Sequence, residues 1–152
     1  MKNNTIILVL TFIFFTGFSY AQEGETWDTG EKVYEISTID LEPNVDPIYL
    51  NNIKRTWVIQ AEAQKSEGII EDYFIYRSIN PYDGDFDLIL MQVYPNLAAL
   101  DSNPKNRKKW DRAVEKARKT ISDQAAQELT ATYGKLRTIK DQKLMREIKF
   151  RK

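Results

Sequence analysis

The sequence predicts an α+β fold of element order β-α-β-β-α-β, with one antiparallel sheet carrying both helices on one face. Three observations predict it. Several short segments are rich in β-branched and aromatic residues with a period of two. A helix-capping residue stands directly before proline twice, at Asp46-Pro47 and at Asn103-Pro104. Two strand-like segments are joined by Asn80-Pro81-Tyr82-Asp83-Gly84-Asp85, which is turn chemistry and makes an antiparallel hairpin of the pair.

The chain opens with Met1-Lys2, then runs almost without a polar side chain from Thr5 to Phe18 and reaches the small residues Ser19 and Ala21. That is the layout of a cleavable signal peptide over residues 1–21, with cleavage after Ala21 and export to the periplasm or medium of a bacterium. The apolar run falls short of the roughly 20 residues a bilayer span needs. With no cysteine to acylate, no lipid anchor forms, so no stable membrane anchor is expected once the signal is removed. The roughly 130 residues that follow suffice for one domain.

Residues 22–31 are polar with two glycines, interrupted only by Trp27, and read as a flexible leader to a single domain over 32–152. The first strand is Val33 to Leu41, closed by Pro43. A helix then starts at Asp46-Pro47 and runs to about Lys65, with Ile53, Trp57 and Ala61 on one face and a stop at Gly68. Strands follow at Ile69 to Arg77 and Phe86 to Tyr94, then a short helical turn at Leu97 to Leu100. A long helix opens at Asn103-Pro104, buries Trp110, Val114, Ala117, Ile121 and Leu129, and ends near Gly134. The last strand is Leu144 to Phe150. This is the split βαβ, or ferredoxin-like, arrangement.

The hairpin strands are apolar on both faces. Phe86, Leu88 and Leu90 oppose Ile89, Met91 and Val93, and Ile70, Phe74 and Tyr76 oppose Ile69, Tyr73 and Ile75. Two helices cover one face only, and no other segment is long enough to cover the second. The same face of another copy is the simplest cover, which predicts a homodimer through the sheet.

Over residues 32–150 the element order and these two-faced strands resemble the dimeric α/β-barrel superfamily, in which two ferredoxin-like subunits pack sheet against sheet. Families of that architecture include cofactor-independent monooxygenases, haem-degrading enzymes, dye-decolourising peroxidases and stress-responsive proteins, so the resemblance implies a fold and an assembly but not an activity. Members that hold haem iron through histidine do not fit, because the chain has no histidine.

The absence of both histidine and cysteine removes the common transition-metal ligands, the usual general base near neutral pH, and every Ser-His-Asp or Cys-His arrangement. No phosphate-binding glycine pattern is present. Lys plus Arg and Asp plus Glu balance at 22 each, so no overall field draws the chain to nucleic acid. No cofactor and no metal site are expected. Asp83, Asp85 and Asp87 alternate as in a calcium loop, but Leu88 stands where that loop needs glycine and Tyr94 where it needs a bidentate glutamate. Lys105, Arg107, Lys108, Lys109 and Arg112 open the second long helix against its dipole, either as a solvated face or as an anion site.

The candidate site is a pocket for a small, partly aromatic organic ligand, lined by Trp57, Tyr73, Tyr76, Tyr94 and Trp110, with Arg77, Gln92 and Arg146 as the polar groups. The plainer reading of the same rings is core packing, and of the polar groups a position at strand ends; a buried Arg146–Asp72 pair is the sharper alternative. Three functions fit: an exported homodimer that binds such a ligand, a cofactor-independent monooxygenase-type oxidoreductase, and a structural or partner-binding protein that uses the apolar sheet face.

Overall fold

The computed structural model describes residues 26–79 and 84–152. The expected signal segment, the start of the leader and most of the 80–85 linker lie outside the described residues. The order is β1 (Trp27–Leu41), α1 (Asp46–Arg55), α2 (Trp57–Ser66), β2 (Asp72–Arg77), β3 (Leu88–Tyr94), α3 (Pro104–Thr120), α4 (Asp123–Ala131) and β4 (Arg137–Phe150), with 3-10 turns at Leu97–Leu100 and Tyr133–Lys135. The four strands form one sheet in the order β2-β3-β1-β4, every neighbouring pair antiparallel. The fold is ferredoxin-like, α+β, as the element order predicts.

Several boundaries differ from the sequence reading. β2 begins at Asp72 rather than Ile69, and β3 at Leu88 rather than Phe86. β1 begins at Trp27, inside the expected leader, because Trp27, Asp28 and Thr29 pair with Phe150, Lys149 and Ile148; the register then shifts between Thr29 and Val33. β4 begins at Arg137 rather than Leu144, because it is a charged edge strand with no strict apolar alternation to announce it.

The first expected helix is two. Thr56 breaks it at φ −126°, ψ −78°, and its hydroxyl donates to the Asn52 carbonyl oxygen at 2.9 Å. The second is also two. Ile121 is extended, and Ser122 then caps α4 by accepting from the Ala125 N–H at 3.2 Å.

Gly68 ends α2 as the sequence predicts. Its φ is +64°, its N–H reaches the Lys65 carbonyl, and the Ile69 N–H reaches the Gln64 carbonyl, both at 3.0 Å. That is the Schellman closure, which favours glycine at the left-handed position.

The register sorts side chains onto two faces. Val33, Glu35, Ser37 and Ile39 of β1 stand opposite Tyr94, Gln92, Leu90 and Leu88 of β3 and share the helix-covered face. Two apolar clusters form there. One joins Val33 and Tyr94 to Ala61, Ile69, Ile70, Ala113 and Ala117; the other joins Ile39, Leu88 and Leu90 to Tyr49 and Ile53.

On the other face, neighbours run straight across the sheet as Phe74–Met91–Ile36–Lys143, as Tyr76–Ile89–Thr38–Asp141 and as Asp72–Val93–Tyr34–Met145. Among the described residues no helix covers these rows, although Val93 is already buried. Tyr76 is 49% and Met145 50% exposed. The Phe74 and Tyr76 rings stack on each other, 5.9 Å apart between centroids.

Candidate functional site

Inward residues of β1 alternate as Val33, Glu35, Ser37 and Ile39, which sets one carboxylate between two fully buried side chains. Glu35 holds its place through two hydrogen bonds. Tyr94 on β3 donates its hydroxyl to Glu35 Oε2 at 2.9 Å, and Gln142 on β4 donates Nε2 to Glu35 Oε1 at 2.6 Å. The Tyr94 hydroxyl is shared with Gln92 Oε1 at 3.1 Å, and Gln92 Nε2 donates to Gln64 Oε1 on α2 at 3.2 Å. Gln142, Glu35, Tyr94, Gln92 and Gln64 thus form one chain across β4, β1, β3 and α2. Burial, and then the hydrogen bond to Glu35, push the Tyr94 phenol well above its usual pKa, so it is a fixed proton donor across the ordinary pH range.

Gln64, at the end of this chain, also lines a cavity of about 210 Å³ between α2, α3 and α4. Trp110 forms part of the wall. Ala113, Ala117 and Ala126 leave space that larger side chains would fill, Gln60 stands beside Gln64, and Arg118 and Asp123, ion-paired at 2.9 Å, complete the polar lining.

The sequence-predicted residues do not converge on one pocket. Trp110 lines the cavity, and Tyr94 and Gln92 belong to the chain that Gln64 links to it. Trp57 and Tyr73 instead meet edge to face at 5.5 Å, and the Tyr73 hydroxyl donates to Glu62 Oε1 at 2.6 Å. That bond, and then burial, push the Tyr73 phenol up to about 12.

Tyr76 lies on the opposite sheet face, because a strand alternates and Tyr73 and Tyr76 are three residues apart. Arg77 is tied to Asp46 at 2.6 Å. Arg146 donates Nε to the Gly30 carbonyl oxygen at 2.8 Å, where β1 bulges, and the expected Arg146–Asp72 pair does not form: Asp72 holds Lys65 at 2.8 Å.

Glu35, Gln64 and Gln142 were missed. The one available signal was Glu35, an acid at an inward position of a strand whose other inward residues include Val33 and Ile39.

Two further polar clusters have structural work. The basic start of α3 lies against the end of α2, where Lys109 donates to the Gly68 carbonyl oxygen at 3.0 Å and Arg112 and Lys116 both bind Glu67. Cations there meet the negative end of the α2 dipole, which resolves their conflict with their own helix. Near Thr56, the Thr56 and Tyr133 hydroxyls hydrogen-bond, and the Arg137 guanidinium sits 5.6 Å and 5.2 Å from the Tyr49 and Tyr133 ring centroids. Burial pushes the Tyr49 phenol up to about 12. Of the three alternating acids, Asp87 is used within the fold, accepting from the Leu41 N–H at 2.8 Å.

No family model matches the chain, and none of the characterised proteins compared with it matches either. Two solved structures are similar. One is a NIPSNAP family protein with unknown function from Agrobacterium tumefaciens strain C58, at 20% identity and a TM-score of 0.44 over 80% of this chain and 92% of that one. The other is a dimeric protein of unknown function and ferredoxin-like fold from Bacteroides fragilis, at 14% identity and a TM-score of 0.41 over 79% of this chain and 98% of that one.

Proposed function

We propose that the chain is exported and works as a homodimer whose two sheets pack face to face, each protomer holding a small, partly aromatic ligand in its helix layer. The observation that carries the assembly is the uncovered apolar sheet face. Phe74, Met91 and Ile36 lie in one unbroken row at its centre, with Tyr76, Ile89, Tyr34 and Met145 around them. Large apolar side chains release roughly 1.5–3 kcal/mol each when fully buried, so such a face favours contact over water. A two-fold arrangement lets one patch cover its own copy, and the Lys143–Asp141 pair at the β4 edge gives the patch a charged rim.

Ligand binding in this reading uses the cavity beside Trp110 and the Gln64 amide. It needs no histidine, cysteine or bound metal.

Met91→Glu tests the assembly, because it sets a charge in the middle of the central row without touching either apolar cluster beneath the helices. Sedimentation velocity is expected to give a dimer for the unaltered chain and a folded monomer for Met91→Glu. A monomer for both overturns the proposal, as does a dimer that Met91→Glu leaves intact.

A further inference from the structure

We infer that the cavity between α2, α3 and α4 selects an uncharged compound of one or two rings that carries a hydrogen-bond acceptor such as a carbonyl oxygen. The inference rests on the reading of this cavity as a ligand site and goes further by fixing the chemistry of the occupant.

Size sets the first limit. The volume of about 210 Å³ is below the roughly 300–1,000 Å³ of drug-sized sites and above the roughly 150 Å³ that accepts benzene.

Charge sets the second. The two ionic groups of the lining, Arg118 and Asp123, bind each other at 2.9 Å, and every other lining group is neutral. No lining group offers an unpaired opposite charge to an ionic ligand. Trp110 and the three alanines offer a flat apolar wall that suits a ring.

Hydrogen bonding sets the third. Gln64 Oε1 is occupied by Gln92 Nε2, and Gln92 Oε1 takes its bond from Tyr94. Tyr94 shares its one hydroxyl proton between Gln92 and Glu35. What remains of the Gln64 side chain is its N–H₂, a donor, and the exposed Gln60 amide beside it can turn its own N–H₂ the same way, so a ligand acceptor is matched by both.

The test uses the ¹⁵N-labelled protein and three probes of similar size: acetophenone, ethylbenzene and benzoate. Chemical shifts are followed at the Trp110 indole N–H and the Gln64 side-chain amide. Acetophenone is expected to saturate both signals and to bind about fivefold more tightly than ethylbenzene, the scale of one neutral hydrogen bond. Benzoate is expected to leave both unchanged.

Gln64→Leu should remove the preference for acetophenone and keep ethylbenzene binding. Ala126→Leu fills the cavity from α4 and should block both while the spectrum stays dispersed. Equal binding of acetophenone and ethylbenzene, or tighter binding of benzoate, overturns the inferred chemistry and leaves the cavity a ligand site. No saturable shift at Trp110 with any probe overturns the ligand site itself.

Discussion

Tyr94→Phe removes one oxygen atom from the centre of the polar chain and leaves the ring, which is 3% exposed, in its packing. The lost hydroxyl shares its one proton between Glu35 at 2.9 Å and Gln92 at 3.1 Å. A hydrogen bond to a charged group contributes about 1.5–3 kcal/mol. Glu35 keeps its 2.6 Å bond from Gln142, and it is half-buried, so water offsets part of the loss. The expected cost is therefore at the low end, about 1.5 kcal/mol, or about 5 °C in Tm for a domain of this size. The assay is thermal and urea unfolding at one fixed protein concentration, because the proposed dimer would couple stability to concentration.

A second signature separates the hydroxyl from packing. The folded phenol is raised above its ordinary value of 10.0, so its contribution is full below pH 10 and is lost as the pH rises beyond that. Tyr94→Phe should flatten the alkaline decline in stability. A change within about 0.5 kcal/mol, or an unaltered alkaline limb, would refute the reasoning.

Gly68→Ala is expected to cost about 1 kcal/mol from the left-handed backbone alone, since an added Cβ at that position comes no nearer than 3.8 Å to Lys109 Nζ; urea unfolding measures it. Glu67 is held below its ordinary 4.5 by hydrogen bonds from Lys116 and then Arg112, so its contribution is full above that pH and is lost as the pH falls further. Glu67→Gln should lower the melting temperature at pH 7 and leave it nearly unchanged at pH 3, read by calorimetry. Intact-mass spectrometry of the chain exported by a bacterial host is expected to find Gln22 at its N-terminus; retention of Met1 would contradict the signal-peptide reading.

Local chemistry was the legible part of the fold. Asn103-Pro104 marks the start of α3, where Asn103 accepts from the Asn106 N–H, and Gly68 marks the end of α2, because each signal acts within a few residues; Asp46-Pro47 also marks the start of α1, but Asp46 lies in its first turn and pairs with Arg77 rather than capping it. The helix breaks at Thr56 and Ser122 were hidden, since both residues are tolerated inside helices and the break at Thr56 is completed by Tyr133, far along the chain. The length of β4 was hidden for a related reason: its early residues are held by pairing with β1 rather than by an apolar pattern of their own.

The site was less legible than the fold. Trp110, Gln92 and Tyr94 were found by residue type. Which of them meet depends on register and on contacts such as Gln142 to Glu35, 107 positions apart. Alternation alone could have removed Tyr76 from the set, because residues three apart on a strand face opposite ways.

Size exclusion coupled to light scattering, run on the exported chain over a hundredfold range of concentration, tests the central claim most directly. The account predicts twice the chain mass at every loading, because the uncovered sheet face is buried against its own copy. A stable monomer that stays soluble at the highest loading would contradict it.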